Sequence, residues 1–261
     1  MAVKNGLVIP VLSFIHVLEF SNRTDFYQNE VTAYLDSVQA LAPIRWIKGL
    51  PAVVKAEVSN AFLGSIGVSP LPLDPLVDHL VDTLKIKLPW FDRAEAKTYN
   101  ISRIVQESSS ISSREEYQKF RMSSPVFDIP RLRALKDKNP TGYLVHDIAA
   151  YAADFLGKRV ITPEGILVDV TSESLEQFKI MFRLSTCPAF SFKLAFFEGW
   201  SMSTGGEEAS MFEDLYHLVA LAYCDVVFVD SATWEALKKG KAARMPLRNG
   251  EFLAWVEGLG T

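Results

Sequence analysis

Acidic residues flank one short apolar run near the end of the chain. Asp225 directly precedes the run VVFV at residues 226–229, and Asp230 directly follows it. Asp214 and His217 lie upstream, three residues apart, so they share one face of a predicted helix. Carboxylates gathered at the end of a strand are typical ligands of Mg²⁺ or Mn²⁺. The spacing indicates a divalent-metal site, and the alternative is that Asp214 and Asp225 are caps or surface acids while His217 is a core residue.

A strand and two helices are needed to position these acids. The run at 226–229 predicts a buried strand, and residues 207–222 predict the helix before it. Residues 231–239 predict a short helix that ends at Gly240. In open parallel sheets ligands bind outside the carboxyl ends of the strands, which is where Asp230 is expected to lie. Short apolar runs alternate with amphipathic segments along the chain, so an α/β protein with a mainly parallel sheet is predicted.

Further elements are predicted from periodicity and capping signals. Strands are expected at 7–12 and 44–47, and helices at 25–41, 53–62, 143–156 and 172–182 and from Pro188 onward. Asp74 and Pro75 predict the start of another helix, since aspartate caps helices and proline suits the first helical position. Five aromatic side chains follow Pro188 at a spacing that favours a buried core over base stacking: Phe190, Phe192, Phe196, Phe197 and Trp200.

Two segments resemble bacterial PIN-like nuclease domains. Residues 213–230, EDLYHLVALAYCDVVFVD, are similar to the second half of those domains, where an acidic residue opens a helix that carries His-Leu and a tyrosine and is followed by two aspartates. The upstream sequence VLSFIHVLE at 11–19 is similar to the family's xLSxxHxxE segment. Glu57 lies where many such proteins have another glutamate, and Cys187-Pro188 is similar to the family sequence before the penultimate helices.

The resemblance implies a fold and a metal-dependent activity. The implied fold is a three-layer α/β/α sandwich with a mainly parallel central sheet, formed by one domain over residues 1–261 with a helical insertion at about 64–160. The resemblance also implies that Glu19, Asp214 and Asp230 are the catalytic metal ligands, with Asp225 as a further ligand. The implied cofactor is Mg²⁺ or Mn²⁺, and the implied reaction is hydrolysis of an RNA phosphodiester by activated water.

Three other residues are weaker candidates for the same site. Glu57 is a further acid, while His16 and His217 are expected to support the ligands or the fold, because imidazole is a poor partner for Mg²⁺. The family's usual first strand, which ends in a metal-binding aspartate, has no counterpart in the segment MAVKNG. Either a β-α unit is missing, or another acid substitutes, or the site is degenerate. The alternative function is therefore a non-catalytic PIN-like binding or interaction protein, and an unrelated small-molecule α/β enzyme is a third interpretation.

A basic run that contains no acid extends from residue 236 to residue 248, just beyond Asp230. Four of its members are predicted to contact substrate phosphates: Lys238, Lys239, Lys241 and Arg244. Arg248 ends the same run. The alternative is a solvated helix end whose positive charges complement the helix dipole.

Composition narrows the function classes. Thirty-one acids against 27 bases give a formal charge of −4, which excludes a general nucleic-acid-coating protein but not a nuclease. Cys187 and Cys224 are too few for a disulfide framework and favour a reducing cytoplasm. No apolar stretch approaches the roughly 20 residues of a membrane-spanning helix, so a cytoplasmic protein without a membrane partner is predicted. RNA is the predicted partner, and a homodimer or a protein partner stays open.

Overall fold

The computed structural model describes residues 8–13, 44–78, 148–201 and 210–259, apart from the side chains of Pro51, Ser201 and residues 210–216. The chain divides into two compact units. Unit 1 comprises Met1–Gly49, Pro75–Asp128 and Glu251–Thr261, and unit 2 comprises Leu50–Asp74 and Ile129–Gly250.

Seven α-helices and seven strands lie in the described ranges. In chain order they are β1 (Val11–Ser13), β2 (Arg45–Ile47), α1 (Leu50–Ser65), β3 (Leu76–Val77), α2 (Ile148–Ala153), β4 (Arg159–Ile161), β5 (Leu167–Asp169), α3 (Ser172–Met181), α4 (Pro188–Ser201), α5 (Ser210–Tyr223), β6 (Phe228–Val229), α6 (Ser231–Lys239), β7 (Leu247–Arg248) and α7 (Phe252–Gly258). The predicted helices at 53–62, 172–182, 207–222 and 231–239 are thereby confirmed, with small changes at their ends. The predicted helix at 25–41 lies outside the described residues.

Unit 1 contains a three-stranded sheet in the order β1-β2-β3, in which β1 and β2 run parallel and β2 and β3 run antiparallel. The predicted helix start at Asp74 and Pro75 is wrong, because the residues that follow Pro75 form β3. The Pro75 carbonyl accepts a hydrogen bond from the Lys48 N–H at 2.9 Å, next to the β2–β3 pairing. Pairing with β2 therefore outweighs the local capping signal.

The core of unit 2 forms around α4, which packs against α6, α5 and α1. The aromatic side chains of α4 are buried, as the sequence predicts: Phe190, Phe192, Phe196, Phe197 and Trp200. Burial of one such side chain contributes about 2 kcal/mol. A Cβ at Gly199 would lie only 1.7 Å from the Ala236 carbonyl oxygen, and a Cβ at Gly240 would lie 1.7 Å from the Ala195 carbonyl oxygen. The backbones of α4 and α6 are therefore in direct contact.

A β-hairpin and a capped helix also belong to unit 2. β4 and β5 pair antiparallel, and Gly165 in their turn has a φ of 81°, which glycine adopts without strain. α3 begins at Ser172 because Thr171 caps it. The Thr171 Oγ1 accepts a hydrogen bond from the Ser174 N–H at 3.2 Å, and the Ser174 Oγ accepts one from the Thr171 N–H at 3.0 Å. This reciprocal pair is a capping box with serine at the third helical position.

The last elements of unit 2 are the parallel pair β6–β7 and the helix α6. Phe228 lies opposite Leu247, and Val229 lies opposite Arg248. β6 covers the last two residues of the predicted strand at 226–229, which are the two that pair with β7. α6 follows β6 directly and ends at Lys239, as predicted.

The mixed α/β class is confirmed. The described strands form three small sheets, in which two pairings are parallel and two are antiparallel. A central, mainly parallel sheet is not seen among the described residues, so the three-layer sandwich and the single domain with a helical insertion stay predictions. No helix in the described ranges is both long enough and apolar enough to cross a membrane.

Candidate functional site

Asp230 lies at the carboxyl end of β6, where the sequence predicts it. Its Oδ1 accepts a hydrogen bond from the Thr233 N–H at 2.6 Å, and its carbonyl oxygen accepts one from the Trp234 N–H at 3.0 Å. Asp230 is thus the N-cap of α6. Because the residue is exposed, the cap holds a carboxylate in a fixed orientation at the surface of unit 2.

The other predicted metal ligands are described in part. Asp225 lies between α5 and β6 and is exposed. Asp214 belongs to α5, but its side chain lies outside the described residues, as does the whole of Glu19. The structure therefore places Asp225 and Asp230 on either side of β6 and leaves the positions of the other two carboxylates as predictions.

A metal site needs more ligands than these two acids provide. Mg²⁺ demands near-octahedral oxygen coordination, and within the described residues no three His, Cys, Asp or Glu side chains are grouped so that they could hold a metal ion. His217 is half-buried in α5, and His16 lies outside the described ranges. A complete metal site therefore needs ligands beyond Asp225 and Asp230, and Glu19 and Asp214 stay the predicted ones.

Three of the predicted phosphate contacts lie at the C-terminal end of α6. Lys238 and Lys239 belong to its last turn, and Lys241 follows with a left-handed φ of 55°. All three residues are exposed, and their charges complement the negative end of the helix dipole. Lys241 also interacts with Glu198: burial raises the pKa of that carboxyl, and the charge of Lys241 lowers it.

Arg244, the fourth predicted phosphate contact, binds the C-terminal end of α5. Its Nη1 donates to the Cys224 carbonyl at 2.8 Å and to the Leu221 carbonyl at 3.4 Å, and its Nη2 donates to the Asp225 carbonyl. The last carbonyls of a helix have no partner within the helix, so this guanidinium caps α5. Arg244 therefore holds the connection from α5 to β6, a role that its place in a basic run did not indicate.

An aromatic side chain lies among the basic residues. The guanidinium carbon of Arg248 lies 3.9 Å from the centroid of the Trp234 ring, and the Lys238 Nζ lies 5.0 Å from it. Both distances are within the range of cation–π attraction. Arg248 Nη2 also lies 3.3 Å from Glu235 Oε1. Trp234 was not among the predicted site residues, although its spacing of four residues from both Asp230 and Lys238 puts all three on one helix face.

The carboxylate of Glu57 lies in the interior of unit 2, where it is 1% exposed. Its Oε1 accepts hydrogen bonds from the Ala189 N–H at 2.8 Å and the Tyr223 hydroxyl at 2.5 Å. Its Oε2 accepts one from the Phe190 N–H at 3.0 Å. Ala189 and Phe190 belong to the first turn of α4, whose N–H groups have no partner within the helix. Glu57 therefore caps α4 from α1, and its carboxylate belongs to the fold of unit 2 rather than to a surface metal site.

Burial changes the pKa values of the groups in this interior cluster. Desolvation raises the pKa of Glu57, although the Tyr223 hydroxyl and the two α4 amides lower it. Desolvation also raises the pKa of the Cys187 thiol to about 12 and raises the pKa of Tyr223. At neutral pH Tyr223 therefore keeps the proton that it donates to Glu57, and Cys187 stays a thiol rather than a nucleophilic thiolate.

Lys193 is a fully buried cation on α4. Its Nζ donates to the Tyr151 hydroxyl at 2.7 Å and lies 4.3 Å from the centroid of the Phe155 ring. The rings of Phe190 and Phe197 lie within 6 Å of the same ammonium group, at 5.8 Å and 5.5 Å. Lys193 is thus held in an aromatic cage inside the protein, where a substrate has no access to it.

Comparison with known proteins gives no match for this chain. No family model matches it, and neither a curated protein nor a solved structure does.

Proposed function

We propose that the protein is a divalent-metal-dependent ribonuclease with a PIN-like fold, in which a three-layer α/β/α sandwich surrounds a mainly parallel sheet. One observation carries the proposal. α5, β6, Asp230 and α6 follow one another in the chain, Asp230 lies directly between β6 and α6, and β6 pairs in parallel with β7. This arrangement puts Asp230 outside the carboxyl end of a parallel strand, where α/β proteins bind ligands.

Four acids carry the proposed chemistry. Glu19, Asp214 and Asp230 hold Mg²⁺ or Mn²⁺, and Asp225 is the further ligand. When bound, such an ion would supply an activated water and would stabilise the charge on the phosphate. The Thr233 N–H keeps the Asp230 carboxylate in one orientation, which lowers the cost of organising a ligand set.

The exposed lysines after Asp230 bind the substrate in this proposal. Lys238, Lys239 and Lys241 lie at the end of the helix that Asp230 opens, and ammonium groups bind phosphate oxygens irrespective of base sequence. Arg244 acts indirectly, because its guanidinium holds the end of α5. The proposed setting is the cytoplasm, and the proposed partner is RNA.

The test is RNA cleavage by the full chain. Purified protein with Mn²⁺ is expected to cleave a mixed RNA panel, EDTA is expected to stop cleavage, and Asp214→Asn or Asp230→Asn is expected to slow it by about 100-fold. Asparagine also caps helices well, so Asp230→Asn removes the charge without removing the cap. Glu164→Gln in the exposed β4–β5 turn is the matched control. An intact RNA panel, with no difference between the wild type and the double Asp→Asn variant, would overturn the proposal.

A second candidate function is a non-catalytic PIN-like binding or interaction protein. One observation favours it: Glu57, a candidate acid of the site, is used as an interior cap. Calorimetric titration separates the two functions. Saturable binding of Mg²⁺ or Mn²⁺ that Asp230→Asn weakens supports the nuclease, and no metal binding supports the second function.

A further inference from the structure

Trp234, Lys238 and Arg248 form a mixed aromatic and basic surface, called here the Trp234 platform. The Arg248 guanidinium carbon lies 3.9 Å from the centroid of the indole ring, and the Lys238 Nζ lies 5.0 Å from it. Trp234 is half-buried, while both cations are exposed. Aromatic rings and arginine planes at a protein surface are the groups on which unpaired bases stack.

The fold holds the platform beside Asp230. Trp234 lies in the first turn of α6, and its backbone N–H donates to the Asp230 carbonyl oxygen at 3.0 Å. Arg248 comes from β7, where it lies opposite Val229, the residue directly before Asp230. Two separate elements thus bring the indole and the guanidinium together, within one helical turn of the proposed metal ligand.

The charge around the platform is positive. Lys239 and Lys241 are exposed at the end of the same helix, and an acid, Glu235, pairs with Arg248 at 3.3 Å. Both partners of this ion pair are about half exposed, at 45% and 48%, and such exposed pairs contribute little. A phosphate can therefore displace Glu235 from Arg248 at small cost. The whole chain carries a net charge of −4, so attraction of a polyanion has to be local.

We propose that the Trp234 platform binds a single-stranded polynucleotide. Bases stack on the Trp234–Arg248 pair, and the phosphates on either side contact Lys238 and the neighbouring lysines. A duplex is disfavoured, because its bases already stack on one another and are not available to a side chain. The inference rests on the proposed function in one respect, namely that the bound polynucleotide continues from the platform to the proposed metal ligand Asp230.

The test is equilibrium binding in EDTA, where cleavage does not occur. Fluorescence anisotropy with labelled strands of about 12 nucleotides compares single-stranded RNA, single-stranded DNA and duplex RNA. Both single strands are expected to bind more tightly than the duplex. Trp234→Leu is expected to weaken single-strand binding about 5- to 100-fold. Arg248→Gln is expected to reduce the slope of log K against log salt by about 0.7.

Three controls make the result decisive. Lys55→Gln on the exposed face of α1 changes the net charge as Arg248→Gln does and is expected to leave binding unchanged. Trp234→Phe keeps an aromatic ring and is expected to retain most of the affinity, and thermal unfolding checks that each variant is folded. Folded Trp234→Leu with wild-type affinity, an equal loss in Lys55→Gln, or a preference for the duplex would overturn the inference.

The outcome is separable from that of the nuclease proposal. Platform-dependent binding without Mn²⁺-dependent cleavage supports this inference and contradicts the nuclease. If a folded Trp234→Leu variant keeps wild-type affinity and still cleaves RNA, the nuclease proposal is supported and the platform inference is contradicted. Tighter binding of RNA than of DNA identifies RNA as the polymer bound, and equal binding of the two supports recognition through bases and phosphates alone.

Discussion

Tyr223 donates its hydroxyl to Glu57 across a distance of 2.5 Å, and this bond joins the end of α5 to the middle of α1. The same carboxylate accepts the Ala189 and Phe190 amides at the start of α4. One acidic side chain therefore connects three helices of unit 2. Removing an acceptor from such a buried cluster leaves donors without partners, which costs more than the bonds contribute when formed.

We expect Glu57→Gln to destabilise the protein by about 2 kcal/mol. A carboxamide offers one acceptor oxygen in place of two, so it cannot satisfy all three donors. Tyr223→Phe is expected to cost about 1.5 kcal/mol, because it removes one hydrogen bond to a buried acceptor. Urea unfolding of both single variants and of the double variant measures the coupling, expected at about 1 kcal/mol. Additive effects of the two substitutions would contradict a direct bond.

The same cluster predicts a pH dependence of stability. Burial raises the pKa of Glu57 above its ordinary value of 4.5, so the folded protein holds the proton more tightly than the unfolded chain. The contribution of Glu57 to the free energy of unfolding is therefore greatest below pH 4.5, the ordinary pKa of a glutamate. It is lost as the pH rises through the raised pKa of the folded protein.

The measurement is the difference in the free energy of unfolding between wild type and Glu57→Gln, from about pH 4 to about pH 8. We expect the wild type to lose stability relative to the variant as the pH rises. In Tyr223→Phe the loss should occur at higher pH, because the Tyr223 hydroxyl lowers the pKa of Glu57. A difference that stays constant over this range would refute the titration of Glu57.

Because the backbones of α4 and α6 are in contact, we expect a single added methyl group at that contact to lower the stability of the protein strongly. A Cβ at Gly199 would lie 1.7 Å from the Ala236 carbonyl oxygen, so Gly199→Ala has to push the two helices apart. We expect a loss of about 3 kcal/mol in urea unfolding, and the same from Gly240→Ala. Gly64, in α1, has no atom within 4 Å of its added Cβ, so Gly64→Ala should be neutral or stabilising by about 0.5 kcal/mol. Equal stability of Gly199→Ala and Gly64→Ala would show that the helices do not touch there.

Local signals predicted the elements whose ends are set by their own residues. α6 runs from Ser231 to Lys239 as predicted, because the two residues that set its ends, Asp230 and Gly240, directly flank it. The segment after Asp74 could not be predicted in this way, because its conformation depends on pairing with the distant strand β2, where Trp46 lies opposite Val77.

The site was predictable to the same extent. Asp230 could be placed from the apolar run before it, whereas the role of Glu57 depends on amides that are 132 and 133 residues away. One signal was present: Glu57 follows Val53 and Val54 at helical spacing, so it shares their buried face. The partners of Arg244 and Arg248 likewise come from other elements, and no spacing in a basic run reveals them.

The cap at Asp230 can be separated from its proposed role as a metal ligand. Asp230→Ala removes the acceptor of the Thr233 N–H and is expected to cost about 1 kcal/mol, while Asp230→Asn keeps an acceptor and should change stability by only a few tenths, roughly as between good capping residues. Asp225→Asn, at an exposed position outside the cap, is the control for the loss of one charge. Urea unfolding of the three variants gives the comparison. If Asn proves as destabilising as Ala, the carboxylate charge rather than the hydrogen bond stabilises α6, and Asp230→Asn would no longer isolate metal binding from folding.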